Sequence, residues 1–344
     1  MIRRILRLTL FVLADLCGLN AMWRRRNAHC IRVLMYHSVT ARPQSAPCWT
    51  VLSAAYFEQH MAHLARHYDC LATREMISAL SGDGNQIENG AFITFDDGLV
   101  NNAAEAEPIL ARHKLTACCF VCPGLSKRGE KIWADSLWEG IVDGTANQID
   151  LTAINGGIVL IPLDKHERAT VAGVVIERMK SISHEERQLW LDILRKQGAL
   201  SSSHNSIFAL MSLDGVKAMS ERGTFEIGSH TMNHPILSSE TVNEQVEEIE
   251  GCKQALESAG IASSPLFVYP NGRREDYTDD TIAIVRKAGF AGAFTSQDAL
   301  FEKTADIYQI PRIAIGNDTN IWEFKAKMSG FYYALKRMLA GSLR

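Results

Sequence analysis

Apolar residues along this chain fall into two alternating patterns. Short uninterrupted runs, rich in β-branched and aromatic residues and bounded by turn formers, occur at Ile31–Met35, Asp69–Leu71, Ala91–Phe95, Leu115–Val121, Thr224–Ile227, Leu266–Tyr269, Gly292–Thr295 and Ile310–Ile315. These read as buried strands. Between them lie stretches in which apolar residues recur every three or four positions. They predict helices over Ser53–His67, with Ser53 as the cap, and over Thr73–Leu80, Ala103–His113, Ser239–Ala259 and Asp279–Ala288. Strand and helix in strict alternation predict an α/β fold with a parallel sheet, of the kind that closes into barrels. The alternation lapses from 131 to 215, where the pattern is largely helical, clearest over Glu167–Met179 and His184–Gln197 and broken by Gly156, Gly157 and Pro162. This predicts a helical insertion between two barrel strands.

The two ends differ from the middle. Residues 1–28 form a basic, amphipathic segment. Within the first 32 positions seven arginines face one acid, Asp15, a local net of +6, so the remainder of a chain with overall net −3 carries −9. On a helical wheel Arg4, Arg7, Asp15, Gly18 and Arg25 fall on one stripe and Ile5, Val12, Leu16, Leu19 and Trp23 opposite, the outline of an interfacial helix. Residues 317–344 repeat the pattern, with Trp322, Phe324, Met328, Phe331, Leu335 and Met338 at helical spacing beside Lys325, Lys327, Lys336, Arg337 and Arg344. Both ends are expected to contact an anionic membrane peripherally. Arg7 and Asp15 interrupt the first apolar stretch before it reaches spanning length, and no small-residue cleavage site precedes Arg24–Arg26, although an uncleaved signal-anchor is the alternative.

A composition of 47% hydrophobic and 22% charged residues is that of a globular protein, and the near-neutral charge gives no reason to expect nucleic-acid binding. Eight cysteines lack the spacing of a stapled scaffold. Those at 118, 119 and 122 lie in a strand run, where thiols serve as small buried hydrophobes. A reducing, cytoplasmic location at a membrane face is expected. His60, His63 and His67 read as the polar face of their helix.

Chemistry concentrates at strand ends. Ala91–Phe95 delivers two adjacent carboxylates, Asp96 and Asp97, followed by Gly98, to its C-terminal mouth, the edge where ligands bind in helix-covered parallel sheets. Alone, Asp-Asp-Gly is a solvated turn. Thr224–Ile227 runs into Gly228-Ser229-His230, and His230 and His234, four residues apart, would share one face of a helical turn within reach of a single ion. Two imidazoles and a carboxylate are a catalytic zinc ligand set, with a position left for water. If Asp97 is the third ligand, Asp96 is left ionised beside it to act as a base. Trp133, Asp135 and Trp138 open the insertion; core packing is the default for indoles, but such residues also wall sugar sites.

The sequence Thr94-Phe95-Asp96-Asp97-Gly98, then Ser229-His230-x-x-x-His234-Pro235, then Tyr269-Pro270-Asn271-Gly272 resembles the polysaccharide deacetylase family, the NodB-homology carbohydrate esterases. The resemblance covers 29–130 and 216–316. It implies a distorted, incomplete (β/α) barrel and a divalent metal, most often Zn2+, on Asp97, His230 and His234. It further implies Asp96 as general base and an oxyanion site by the Tyr269-Pro270-Asn271-Gly272 turn, near the backbone N–H of Asn271. Two departures stand out. No histidine follows His234, so the late-strand histidine acid of many members is missing. Tyr36-His37-Ser38-Val39 resembles instead the opening motif of the exopolysaccharide-biosynthesis subgroup, and makes His37 the expected general acid. The arginine that orients the catalytic aspartate is replaced by Val268, which leaves Arg312 as the expected substitute, with Arg273 and Arg274 as alternatives.

The expected function is thus metal-dependent removal of N-acetyl groups from sugar units of a polysaccharide or its lipid-linked precursor. A deformylase or deacetylase of a lipid-linked monosaccharide, or a catalytically inactive carbohydrate-binding relative, are the alternatives.

Overall fold

The computed structural model describes residues 2–82, 87–152, 157–302 and 304–341. Strand β1 (Arg32–Tyr36) is followed by a short parallel pair, β2 (Ser38–Thr40) and β3 (Val51–Ser53), then by β4 (Asp69–Cys70), β5 (Gly90–Phe95) and β6 (Ala117–Val121). The insertion carries a small antiparallel hairpin, β7 (Gln148–Asp150) and β8 (Ile158–Leu160), after which come β9 (Phe225–Ser229), β10 (Ser263–Val268), β11 (Gly292–Phe294) and β12 (Ile313–Ala314). The main sheet is parallel throughout, in the order β11-β10-β9-β6-β5-β1-β12, with β4 joined to the start of β5. The sheet curls until its ends meet, but the seam between β11 and the last strand is a single bridge, Phe294 to Ile310. The fold is therefore a distorted and incompletely closed (β/α) barrel, an α/β fold as the alternation predicts and incomplete as the family resemblance implies.

Every residue of β5 is buried, as expected of a strand covered on both faces. Side chains alternate across it. Ala91, Ile93 and Phe95 pack outward against Phe57, Met61, Leu64, Ile109 and Leu110 of the surrounding helices. Phe92 points inward, where it meets Val33, Phe120, Leu266, Val268, Phe294 and Ile310 to fill the barrel. This period of two decides what reaches the mouth. Beyond Val33, Phe92 and Ile310 the next inward positions are Met35 and His37, Thr94 and Asp96, and Arg312.

The helix Ala54–His67 starts at the predicted cap, Ser53 Oγ accepting from the Tyr56 N–H at 3.2 Å. His60 corrects the polar-face expectation. It is fully buried, stacked on Phe324 at 3.9 Å between centroids. Its Nε2 lies 3.0 Å from the Thr319 carbonyl and its Nδ1 3.2 Å from the Tyr36 hydroxyl. A carbonyl only accepts, so Nε2 carries the proton and Nδ1 takes the Tyr36 hydrogen bond. The periodicity could not distinguish this from a solvated histidine, because its neighbours come from the far end of the chain. The predicted helix Ala103–His113 begins as a π-helical turn, Asn102–Ala106, and continues as Glu107–Arg112.

The insertion comprises the helices Trp133–Asp143, Lys165–Lys180 and His184–Lys196 and the β7/β8 hairpin, whose strands the helical pattern did not anticipate. It has a core of its own, including Trp138, Ile141, Val175, Trp190 and Leu194, which also takes in Cys48 and Val51 from the barrel side. All eight cysteines are free thiols, with those at 118, 119 and 122 fully buried.

Candidate active site

At the barrel mouth the chain leaves β5 through two left-handed residues, Asp97 (φ 77°) and Gly98 (φ 75°). A Cβ at Gly98 would lie 2.7 Å from Val121 Cγ1, so glycine is required there both for conformation and for space. The reversal leaves Asp96 on the inner face and carries Asp97 toward β9. His230 and His234 arrive from β9, but not on the expected helical turn. The segment is an irregular loop with Thr231 at φ 65° and His234 at φ 56°, both unusual for residues with a side chain. It is held by Thr231 Oγ1, which accepts from the His234 N–H at 3.0 Å, and by Glu248, whose carboxylate takes the Asn233 backbone and side-chain N–H groups at 2.8 and 2.6 Å. The strained loop, rather than helical spacing, brings the rings together, with centroids 4.8 Å apart.

One ligand atom each from Asp97, His230 and His234 lies within 4.8 Å of the others. The Asp97 Oδ1 is 3.6 Å from His230 Nε2 and 3.9 Å from His234 Nε2. The donor set fits a divalent cation. His230 Nδ1 is 2.9 Å from the Val268 carbonyl and must donate to it, which leaves the Nε2 lone pair free for a metal. All three residues are buried. Burial, together with the carboxylates of Asp135 and Asp96, pushes Asp97 well above its usual carboxyl range, and burial holds both histidines below theirs. An anionic Asp97 beside two neutral imidazoles at this depth is the state that a bound cation stabilises.

Asp96 is set differently. Arg312, 1% exposed, forks onto it, with Nη1 to Oδ1 at 2.7 Å and Nη2 to Oδ2 at 2.8 Å. The guanidinium is itself held by Nε donating to the Thr295 carbonyl at 2.8 Å and Nη1 to Thr94 Oγ1 at 3.2 Å. Burial alone would raise Asp96, but the Arg312 charge and hydrogen bonds outweigh it and bring the carboxyl down to about 2. Arg273 and Arg274 point elsewhere, to Glu177 and to Asp279. The His37 Nε2 lies 3.8 Å from Asp96 Oδ2, and the ring meets Trp49 edge-on at 5.1 Å between centroids. Burial takes the His37 imidazole down to about 4 despite the neighbouring Asp96, so it is neutral at pH 7.

These groups line one cavity of about 610 Å³. Asn271 (φ 57°) and Gly272 (φ 72°) turn at its edge, and a Cβ on Gly272 would come within 2.8 Å of the Ser296 nitrogen. Asn271 Nδ2 is buried, with no hydrogen-bond partner among the described residues. Tyr269 also touches the cavity, but its ring stacks on Tyr277 in the outer layer and its hydroxyl donates to the Tyr308 carbonyl at 3.0 Å. Its side chain is thereby committed away from the site. The cavity is walled on one side by the insertion, through Asp135, Trp138, Glu177 and Lys180. Burial and Glu139 raise the Asp135 carboxyl to about 7, partly offset by Lys131 and Lys180. Trp49, Glu177 and Lys180 gave no signal in the sequence: none sits at a strand end, and only packing of the insertion over the barrel brings the last two to the cavity.

The polysaccharide deacetylase family model matches residues 178–293, which include His230, His234 and the Asn271 turn. A putative polysaccharide deacetylase of Bacillus subtilis, YxkH, is 20% identical over 284 residues, 82% of this chain and 70% of that protein. Over residues 178–293 the chain matches the polysaccharide deacetylase family. Its class is that of a deacetylase hydrolase. In fold, this deacetylase is similar to the Streptococcus pyogenes deacetylase PplD (TM-score 0.59, 18% identity, 87% of this chain and 98% of that one). It is similar also to IcaB from Ammonifex degensii (TM-score 0.56, 18% identity, 88% and 97%) and to BC0361, a polysaccharide deacetylase from Bacillus cereus (TM-score 0.55, 19% identity, 87% and 69%).

Proposed function

We propose that this deacetylase removes acetyl groups from N-acetylated sugar units of a polysaccharide or of its lipid-linked precursor, with zinc on Asp97, His230 and His234. The observation that carries the reading is the convergence of that buried ligand trio with the Arg312-clamped Asp96 and His37 on one cavity. The cation, when bound, supplies a Lewis acid that polarises the amide carbonyl and makes a water acidic enough to lose its proton. Asp96 acts as general base toward that water, and the Arg312 fork fixes the direction of its lone pairs. Neutral His37, 3.8 Å from Asp96, takes up the proton that Asp96 accepts and delivers it to the sugar nitrogen as the C–N bond breaks. The released carboxylic acid passes its remaining proton to the amine, so carboxylate and ammonium leave, and Asp96 and His37 regain their starting states. The Asn271 turn borders the place where oxyanion charge develops. Trp49, exposed at the rim beside His37, offers an apolar face to a sugar ring.

The test is metal analysis of wild type and His234→Ala with acetate release measured on N-acetylglucosamine oligomers, beside a lipid-linked acylated amino sugar. Loss of both metal and activity in the variant is expected, and turnover of only one substrate class identifies the glycan. Full zinc occupancy with undiminished activity in His234→Ala would overturn the site.

A further inference from the structure

The helix Ile2–Leu16 has its polarity reversed relative to a surface helix of a soluble domain. Among its described side chains, the two charged ones face the protein. Arg7 pairs with Glu323 at 3.1 Å and Asp318 at 3.6 Å, and Asp15 with Lys325 at 2.7 Å and with the Asn20 amide at 3.1 Å. Phe11 and Ala14 are 1% exposed against Ala326 and Phe331 of the C-terminal helices. What remains facing outward is a row of leucines: Leu6 at 65%, Leu10 at 39%, Leu13 at 52% and Leu16 at 74% exposure. The wheel reading of the sequence is corrected for two members of its charged stripe: Arg7 and Asp15 are spent on ion pairs with residues 318–325, a pairing no local pattern reveals.

The helices packed against Ile2–Leu16 carry exposed basic residues. Arg25 and Arg26 are exposed at the end of the helix Leu19–Arg26, and Lys336 and Arg337 on the helix Phe331–Gly341. No single described helix is long and apolar enough to cross a bilayer; Leu6–Leu16 and Leu19–Arg26 reach that length and composition only as a pair, and they bend by 76° at their junction. Fifteen residues reach about 22 Å, short of a hydrocarbon core of about 30 Å. We propose that the Leu6–Leu10–Leu13–Leu16 face lies in the interface of an anionic bilayer, with the adjacent basic side chains on lipid phosphates. A second copy of the chain suits the face less well, because a two-fold contact would set the arginine clusters against one another. The start of the row lies near the active-site mouth. Arg7 reaches Asp318 in the turn that follows Ala314, a cavity residue, and Gly316 in that turn lies against the Trp49 carbonyl. If the catalytic reading holds, the seat presents the cavity to glycans carried at the bilayer surface.

Co-sedimentation of the full chain with vesicles tests this without reference to catalysis. Wild type is expected to bind phosphatidylcholine vesicles containing phosphatidylglycerol, and to bind pure phosphatidylcholine weakly. Leu10→Glu/Leu13→Glu should lose on the order of a hundredfold or more in partitioning. Arg25→Gln/Arg26→Gln should lose on the order of twentyfold and about half of its salt dependence, Lys336 and Arg337 supplying the rest. Both variants should keep the wild-type circular dichroism, thermal midpoint and acetate release from soluble oligomers, which separates this seat from the catalytic site. No binding by wild type, equal binding by the leucine variant, or a wild-type dimer that the leucine variant dissolves would each overturn the proposal.

Discussion

Arg312→Met removes the fork on Asp96 while keeping side-chain volume. In the native site the guanidinium holds the Asp96 carboxyl at about 2 against an ordinary 3.8, although burial pushes the other way. That difference alone corresponds to roughly 2 kcal/mol, a lower bound, since without the arginine burial would carry the carboxyl above 3.8. Deleting one partner of a buried ion pair costs about 3–5 kcal/mol, and the variant also leaves the Thr295 carbonyl without its Arg312 donor. We expect urea unfolding to show a loss of about 3 kcal/mol, and kcat to fall by at least ~100-fold as Asp96 takes up a proton and ceases to be a base. Content of divalent metal should stay near wild type, because Arg312 touches none of the three candidate ligands. Arg312→Lys restores the charge without the fork, so it should recover stability more fully than kcat, with KM little changed. A purely structural role would move both together. Wild-type stability and kcat in Arg312→Met would refute the reasoning.

Two other outcomes follow from the same geometry. His37→Ala should keep its divalent metal but lose about 100- to 10,000-fold in kcat, and a loss under tenfold would mean that another group delivers the proton. His60, held neutral by burial and shifted down to about 3, binds a proton in the unfolded chain below its ordinary 6.5 but not in the fold. Stability therefore rises with pH between those values, by up to about 1.4 kcal/mol per pH unit. Between pH 7 and 5, denaturant midpoints of wild type should fall by the equivalent of about 2 kcal/mol more than those of His60→Gln; parallel curves would exclude the assignment.

The strands and the helices flanking them were legible because they depend on local period. A side chain two residues on from a buried one faces the same way, so Phe92 in the barrel interior commits Asp96 to the mouth, and the same step takes Val33 to His37. Ser53 announced its helix because a cap is satisfied within three residues. Pairings across the sheet were not legible from local pattern: Arg312 was expected at Asp96 only from its place at the end of the last strand, with Arg273 and Arg274 left as alternatives. That Arg312 rather than Arg273 or Arg274 would reach Asp96 depended on the sheet curling until its last strand lay beside β1, which brings residues 216 positions apart to hydrogen-bonding distance. His230 and His234 were recognised as partners on helical spacing, yet they meet through a loop with two left-handed residues, which spacing cannot express. The insertion read as helical, and only its packing shows that it walls the cavity with Asp135, Trp138, Glu177 and Lys180. The N-terminal helix marks the limit most plainly. Its sequence determined that it is amphipathic, but which face meets the protein was decided by Glu323, Asp318 and Lys325, because charges half-buried against the C-terminal helices must find partners, whereas leucines need none.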